Sequence, residues 1–422
     1  MFSLTNTLRP YAWGSTHAIS SLLGTEPSGG PEAELWLGAH PDSPSLAQLP
    51  DGGTLALDAL ISADPEGMLG GASRAAFGDR LPFLAKVLAA ETPLSLQVHP
   101  TLARAREAFA AEEAAGVDRT APHRNYKDDN HKPELLFALT DFEALCGFRG
   151  AQQSRAIFAH LAAAFELVAE TIPPVLADVI EDLSGADEPA AIRAAFQCLI
   201  AGGPDVSAAV AATATLLRSG APMAPYQTEL STLVNLNGAY PGDPGVLLSL
   251  LLNRVSLKPG EAMYLAPGNV HAYLHGLGVE VMASSDNVLR GGLTPKHVDV
   301  PELLATVDFQ ALPVPLLDAA ETELGQQIWA PPFAEFQLQR IELAPGAEPV
   351  PLAQNGPLLV LAVAGSVLLD SPRGDMVLDR GGSVFVPSSE EPVLVHPHTP
   401  GPGGEAGTAV VFAVTVSGLQ EA

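Results

Sequence analysis

Cysteine is almost absent from this chain: Cys146 and Cys198 are the only two in 422 residues, too few for a disulfide framework. Basic residues are also scarce, with 21 lysines and arginines against 48 aspartates and glutamates and a formal net charge of −27. Such a surface disfavours general nucleic-acid or anionic-membrane binding and keeps a protein in solution. An anionic ligand would therefore have to be drawn in by a local basic cluster working against the global field. Long apolar runs are missing, since the stretch from Gly245 to Leu252 is too short to span a bilayer. Met1-Phe2-Ser3-Leu4-Thr5-Asn6 lacks the basic start and apolar core of a secretion signal, so a cytoplasmic location is expected. Glycine and proline, by contrast, are plentiful (39 and 38), which favours many turns and short strands over a helical array. A chain of this length with 47% hydrophobic residues has room for two or three domains.

Along the chain the pattern changes three times. Up to about residue 150, short apolar runs are cut by Gly, Pro and Asp, with one polar helical stretch from Thr101 to about Ala115. Leu81 to Leu88 and Pro133 to Leu139 read as buried strands. From 151 to about 234 the chain is alanine-rich with helical spacing, broken by Pro173-Pro174 and Gly202-Gly203-Pro204 into several helices. A further helix is expected after Tyr240-Pro241-Gly242-Asp243-Pro244, running through Leu252, and strand character returns from Val255 to about Gly292. After Pro301 a helical turn and linker lead to a region from about 322 to 422, rich in Val, Leu, Gly and Pro, that reads as a small all-β sandwich or barrel.

The chemistry concentrates in three strand-like runs. In Pro93-Leu94-Ser95-Leu96-Gln97-Val98-His99-Pro100, Gln97 and His99 are two apart and project to one face. In Asn130-His131-Lys132-Pro133-Glu134-Leu135-Leu136-Phe137, Lys132 and Glu134 share a face and His131 points the other way. Ala266-Pro267-Gly268-Asn269-Val270-His271 supplies a third donor strand. Taken alone, Gln97 and His99 read equally well as a buried polar pair satisfied by backbone. Glu134 is harder to explain blandly, because a carboxylate inside an apolar run needs a cation beside it, either Lys132 or a metal. Two His, one Glu and one Gln form a donor set that suits zinc, keeps net positive charge on the ion and leaves a coordination position open.

Gly260, Gly268 and His271 also follow the spacing of the second metal-binding motif of cupin barrels, with Pro267 one place late. An echo at Gly381 and Pro387 has Ser389 and Pro392 where the second glycine and the histidine would stand, as in a cupin that cannot ligate metal. Glu280 is a carboxylate in the apolar run Gly278 to Met282, either paired with a nearby Lys or Arg or acting as a general base near the metal. Arg290 and Lys296 lie among flexible glycines, either as surface residues or as clamps for phosphate or a developing oxyanion. His396 and His398 have ligand-like spacing but lie in a Pro-rich loop; His17, His40 and His123 read as surface loop residues, and Cys146 as a core hydrophobe.

At these residues the chain resembles the type I phosphomannose isomerases. The matching blocks are Leu8–Ser15, Ala33–His40, Leu81–Pro100, Tyr126–Leu139, Tyr240–Asp243 and Met263–Val300, in the family's order. The resemblance implies a mainly β fold with a helical insertion, a bicupin of jelly-roll barrels. The catalytic cupin would comprise residues 1–150 and 239–318, the helical insertion 151–238, and a degenerate C-terminal cupin-like domain 319–422. It also implies a zinc enzyme interconverting mannose 6-phosphate and fructose 6-phosphate, with one Zn2+ held by Gln97, His99, Glu134 and His271. The family's essential arginine falls on Arg290. Lys132, Glu280, Ser95, Tyr273 and Lys296 fall on positions lining the same pocket. Lys132 is expected to polarise sugar oxygens, Glu280 to shuttle the proton, and Ser95 and Lys296 to hold phosphate, with Tyr273 beside the substrate. A small sugar phosphate is the expected partner, without nucleic acid or membrane, and the chain is expected as a monomer with a weak homodimer as the alternative. Two other classes stay open: a sugar-phosphate sensor without chemistry, and an iron oxygenase, from whose facial triad the Gln/His/Glu/His set departs.

Overall fold

The computed structural model describes residues 1–399 and 407–418; the remainder of the expected 319–422 segment lies outside the described residues. Its organising element is the strand His271–Ala283. The first half of this strand pairs antiparallel with Phe142–Phe148; the second half runs between Phe83–Ala90 and Glu134–Ala138. The change of neighbours happens at Gly276, whose φ of +131° few side chains tolerate. A Cβ there would lie 2.7 Å from Phe142 Cδ2, so only glycine lets the two strands approach this closely.

Around this spine a ten-stranded sheet runs from Leu252–Leu257 through Phe142–Phe148, His271–Ala283, Phe83–Ala90 and Glu34–Gly38 to Thr7–Arg9. Gln97–Val98, Leu289–Arg290, Glu134–Ala138 and Ala262–Leu265 complete it. A nine-stranded sheet combines C-terminal strands, among them Gln337–Leu343, Leu358–Ala364, Ser383–Val386 and Ala409–Thr415, with three from the N-terminus: Phe2–Thr5, Leu46–Gln48 and Thr54–Ala56. The first 150 residues are therefore divided between two sheets, with Phe2 paired opposite Phe385. A four-stranded sheet, Val350–Pro351, Leu394–Pro397, Ser366–Ser371 and Gly374–Asp379, completes the C-terminal part.

Strand alternation decides what each face of the large sheet does. Leu35, Leu37, Phe83, Ala85, Val87, Leu135, Phe137, Val279 and Val281 form one continuous core with Phe336, Leu338, Leu361, Phe385, Phe412 and Val414 of the nine-stranded sheet. Phe137 meets Trp329 and Phe412 edge-on, at ring separations of 4.8 and 5.1 Å. Such pairs contribute roughly 0.5–1.5 kcal/mol each beyond the area they bury. The residues between these positions, among them Glu34, Trp36, Lys86, Glu134 and Glu280, face the other way and are buried too.

The alanine-rich stretch forms the helices Ala151–Leu167, Pro174–Asp182, Glu188–Ile200, Gly203–Arg218 and Gln227–Ala239, followed by a short helix, Gly245–Leu248, and a 3₁₀ turn. Ile157, Phe158, Leu161 and Phe165 mark the buried stripe of the first. Asp187 caps the third by accepting from the Ala190 N–H, with Pro189 in the first turn. The expected helix near 101–115 spans Leu102–Ala114 and is capped by the Thr101 hydroxyl. No single helix among the described residues is long and apolar enough to cross a membrane.

Candidate active site

In the run from Ser95 to His99, Leu96 and Val98 pack into the core against the helices, and Ser95, Gln97 and His99 take the opposite face. Gln97 stands directly opposite His271 on one side and Arg290 on the other. Opposed residues of antiparallel strands project to the same face, so Gln97, His271 and Arg290 form a row. Glu134 reaches this row from its own strand. Its Oε1 lies 3.2 Å from His99 Nε2 and its Oε2 3.5 Å from His271 Nε2, and all three residues are buried.

Proton positions follow from the partners. His99 Nδ1 is 2.7 Å from the Asn287 carbonyl oxygen, and His271 Nδ1 is 3.1 Å from that of Asn269. A carbonyl only accepts, so each Nδ1 carries the hydrogen and each Nε2 of a neutral ring presents a lone pair. Burial holds His99 neutral by lowering its pKa to about 4. Its Nε2 is buried without a hydrogen-bond partner among the described residues, facing a carboxylate. Burial alone would raise the Glu134 carboxyl, yet the Lys132 ammonium, with Nζ 3.2 Å from Oε1, keeps it well below the ordinary range. Two lone pairs aimed at an ionised carboxylate repel one another unless a cation stands among them. Two imidazole nitrogens, each backed by a carbonyl on the far side of its ring, one carboxylate and the Gln97 amide oxygen fit zinc.

A second buried charged group, outside the expected site residues apart from Glu280, centres on Lys86. Lys86, from the middle of an apolar strand, has Nζ 3.4 Å from Glu34 Oε1, 3.5 Å from Glu280 Oε2 and 4.9 Å from the Trp36 ring. Trp36 Nε1 donates to Glu34 Oε2 at 2.7 Å. Burial by itself favours the neutral amine, but the carboxylates of Glu34, Glu280 and Glu134 push the Lys86 pKa up. Glu280 moves up to about 7, mainly through burial, with Lys86 opposing and the other carboxylates adding to the rise. Of the two expected settings for Glu280, the structure shows the pairing with a lysine. Tyr273 is buried on the same strand, its hydroxyl without a hydrogen-bond partner among the described residues.

Arg290 is half-buried with no side-chain partner among the described residues, and burial lowers its pKa. Lys296 lies at the surface, where partial desolvation by its neighbours and the positive charge of Arg290 and Lys127 lower its pKa. Ser95 is half-buried in the row of Gln97.

His40 corrects its assignment to a surface loop: it is buried, edge-on to Trp36 at 5.1 Å, with Nε2 3.4 Å from Asp286 Oδ1. Trp36 belongs to the packed strand and holds the ring inside. With Asp42 and Asp286 it makes a second group of metal-ligand type. There, however, the Asp42 N–H donates to His40 Nδ1, which leaves the hydrogen on Nε2, and Arg119 already bridges Asp42 and Asp286 at 3.3 and 3.4 Å. A protein cation serves where an ion would. His17 and His123 are exposed. His396 and His398 turn to Asp370 and Ser366. His131 points away from Lys132 to Glu335.

A family model described as the catalytic domain of type I phosphomannose isomerase matches residues 1–151. Mannose-6-phosphate isomerase of Escherichia coli K12 is 39% identical over 401 residues, covering 94% of this chain and 97% of the relative. The enzyme of Shigella flexneri is 39% identical over 400 residues, with the same coverage. The chain belongs to the type I phosphomannose isomerases. Among solved relatives, a mutant of phosphomannose isomerase from Salmonella typhimurium superposes with a TM-score of 0.86 at 35% identity, covering 99% of both chains. A zinc-bound mannose 6-phosphate isomerase superposes with a TM-score of 0.84 at 35% identity, covering 98% of this chain and 99% of that one.

Within this family member, Lys86 and Glu34 had a legible signal: each is a lone charge in a run otherwise made for burial, Leu81 to Ala90 and Ala33 to Gly38. Asn287 had none, because an asparagine in a loop usually signals a turn.

Proposed function

We propose that this chain is a zinc-dependent aldose–ketose isomerase that interconverts mannose 6-phosphate and fructose 6-phosphate through an enediol. The reading is carried by His99 Nε2, buried and unpartnered, facing Glu134 with His271 on the other side. Family membership supports the substrate. Gln97, His99, Glu134 and His271 would hold the zinc, which when bound supplies Lewis-acid polarisation of the sugar oxygens.

The remaining work falls to side chains. Glu280 takes the proton from C2 of the open-chain aldose; the C–H pair becomes the C1=C2 bond and the carbonyl pair moves to O1, which is protonated. Return of a proton to C1, with loss of the O2 proton, gives the ketose. Lys86 steadies the charge of Glu280 as it gains and loses its proton. Arg290, without a competing carboxylate, stabilises the negative charge on the enediolate oxygen. Lys132 polarises a sugar oxygen, Tyr273 borders the sugar, and Ser95 and Lys296 hold the phosphate, with Lys127 adding charge. Residues 1–150 and 239–318 would make the catalytic cupin around this site. The helices of 151–238 would buttress it, and the described part of 319–422, as a degenerate cupin-like domain, would pack against it through the core shared with the nine-stranded sheet.

A coupled assay for fructose 6-phosphate formed from mannose 6-phosphate, before and after chelation and with zinc restored, tests the enzyme. Binding without turnover would leave a sensor instead. The same reaction in D2O tests the enediol: some deuterium at C1 of the product is expected, and complete retention of the C2 hydrogen through many forward and back turnovers would refute it.

A further inference from the structure

We propose that Asn287 is a positioning residue of the metal centre, setting the orientation of the His99 ring and the path of the strand that carries Arg290. The inference rests on the metal reading above. Asn287 is fully buried in irregular chain, where backbone groups have no sheet to satisfy them. Its Nδ2 donates to the carbonyl oxygens of Asp128 and Asn130, each at 2.8 Å, and to Asp128 Oδ1 at 3.2 Å. Its Oδ1 accepts from the N–H groups of Lys127 at 2.8 Å and Asp128 at 3.4 Å. Its own carbonyl accepts the Nδ1 hydrogen of His99 at 2.7 Å.

One side chain therefore ties the segment leading into Lys132 and Glu134 to the segment leading into Arg290, and the main chain of the same residue orients His99. An amide is the only group of this size with donors and an acceptor to match that set. Asp128 reinforces the knot by accepting from Ser285 Oγ at 2.7 Å and from the Asp286 N–H at 2.8 Å. Partners behind a metal-bound imidazole govern its basicity and aim, and losing one typically weakens metal binding by about 10- to 100-fold. Here the oxygen facing His99 belongs to the main chain, so substituting the Asn287 side chain leaves that acceptor in place and acts only by moving it.

The experiment measures zinc affinity by competition with a chromophoric chelator for wild type, Asn287→Asp and Asn287→Ser. It adds the visible spectrum of each cobalt(II)-substituted protein and the urea midpoint of each zinc-free protein. The aspartate removes both donors at constant shape; the serine leaves space for water and serves if the aspartate variant is not recovered folded. Zinc binding weaker by up to about 10-fold, the low end of what loss of the acceptor itself would cost, an altered cobalt spectrum and a lower kcat at saturating zinc are expected in folded variants. A lowered urea midpoint with wild-type zinc affinity and cobalt spectrum would show a merely structural asparagine and overturn the proposal. Failure of the wild type to bind zinc would instead remove the metal reading.

Discussion

Replacing Lys86 by methionine removes one charge from the interior and keeps most of the shape. Lys86 lies between Glu34 and Glu280, at 3.4 and 3.5 Å, with all three side chains less than a tenth exposed. Breaking a buried ion pair from one side typically costs about 3–5 kcal/mol, because the remaining charge is left in a poor solvent. Here the remaining carboxylates have an escape, which is to take up a proton. Glu280 already titrates at about 7, against an ordinary 4.5, because of burial, and Lys86 is the strongest influence holding it down. A carboxyl whose folded pKa lies above its unfolded value contributes stability that is fully present below the unfolded pKa. That contribution is lost as pH rises through the folded one. Without Lys86 the folded value climbs further, and each pH unit of climb costs about 1.4 kcal/mol once the group must ionise. Urea unfolding of zinc-free Lys86→Met and wild type should therefore differ by roughly 3–5 kcal/mol at pH 8 and by clearly less at pH 5.5. Equal losses at the two pH values would refute the idea that this lysine neutralises buried carboxylates.

Glu34→Gln works on the same group with opposite sign. It removes a like charge that raises Glu280 and leaves Lys86 to pair with Glu280, so the acid limb of kcat/KM should move to lower pH; an unmoved or raised limb would refute the coupling. Zinc in hundredfold excess over its Kd should stabilise wild type by about 2.7 kcal/mol in a thermal melt. Glu134→Gln should lose most of that gain, and an undiminished response would place the ion elsewhere. Arg290→Lys keeps the charge but loses the planar fork. It should lower kcat by about 10²- to 10³-fold with zinc affinity unchanged, whereas a loss confined to KM would make Arg290 a binding residue only.

The parts of this site that could be read from sequence are those whose spacing is set by one strand. Gln97 and His99 are two apart, as are Lys132 and Glu134, and the extended chain brings His99 and Lys132 each to 3.2 Å from the Glu134 carboxylate. The helical stretch was equally legible, since its breaks are prolines and glycines. Pairing between distant strands was not. Nothing local in Phe2–Thr5 says that it joins the C-terminal sheet beside Ser383–Val386, and nothing in His40 says that Trp36 and Asp286 enclose it. Lys86 was visible as an anomaly, but its meaning required two partners from strands 52 residues upstream and far downstream.

Those partners also explain why the sheet has one register. Lys86 stands opposite Trp36 on one neighbour and opposite Glu280 on the other. A slip of one residue in either pairing would turn Glu34 or Glu280 toward the aliphatic core shared with the nine-stranded sheet, and send leucine or valine inward to face a bare ammonium. Both halves of that exchange are unfavourable, so the charges reject the slipped sheets more firmly than aliphatic packing alone, which tolerates similar shapes. Register governs the proposed metal donors too. Met282 pairs with Glu134 and His271 with Gln97 along the one strand that carries Glu280. Fixing Glu280 against Lys86 therefore fixes how far along the sheet Glu134 and His271 stand. The Glu280–Lys86 pair and the His99–Glu134–His271 cluster are aligned by a common register, and a change that loosens the first should be felt at the second.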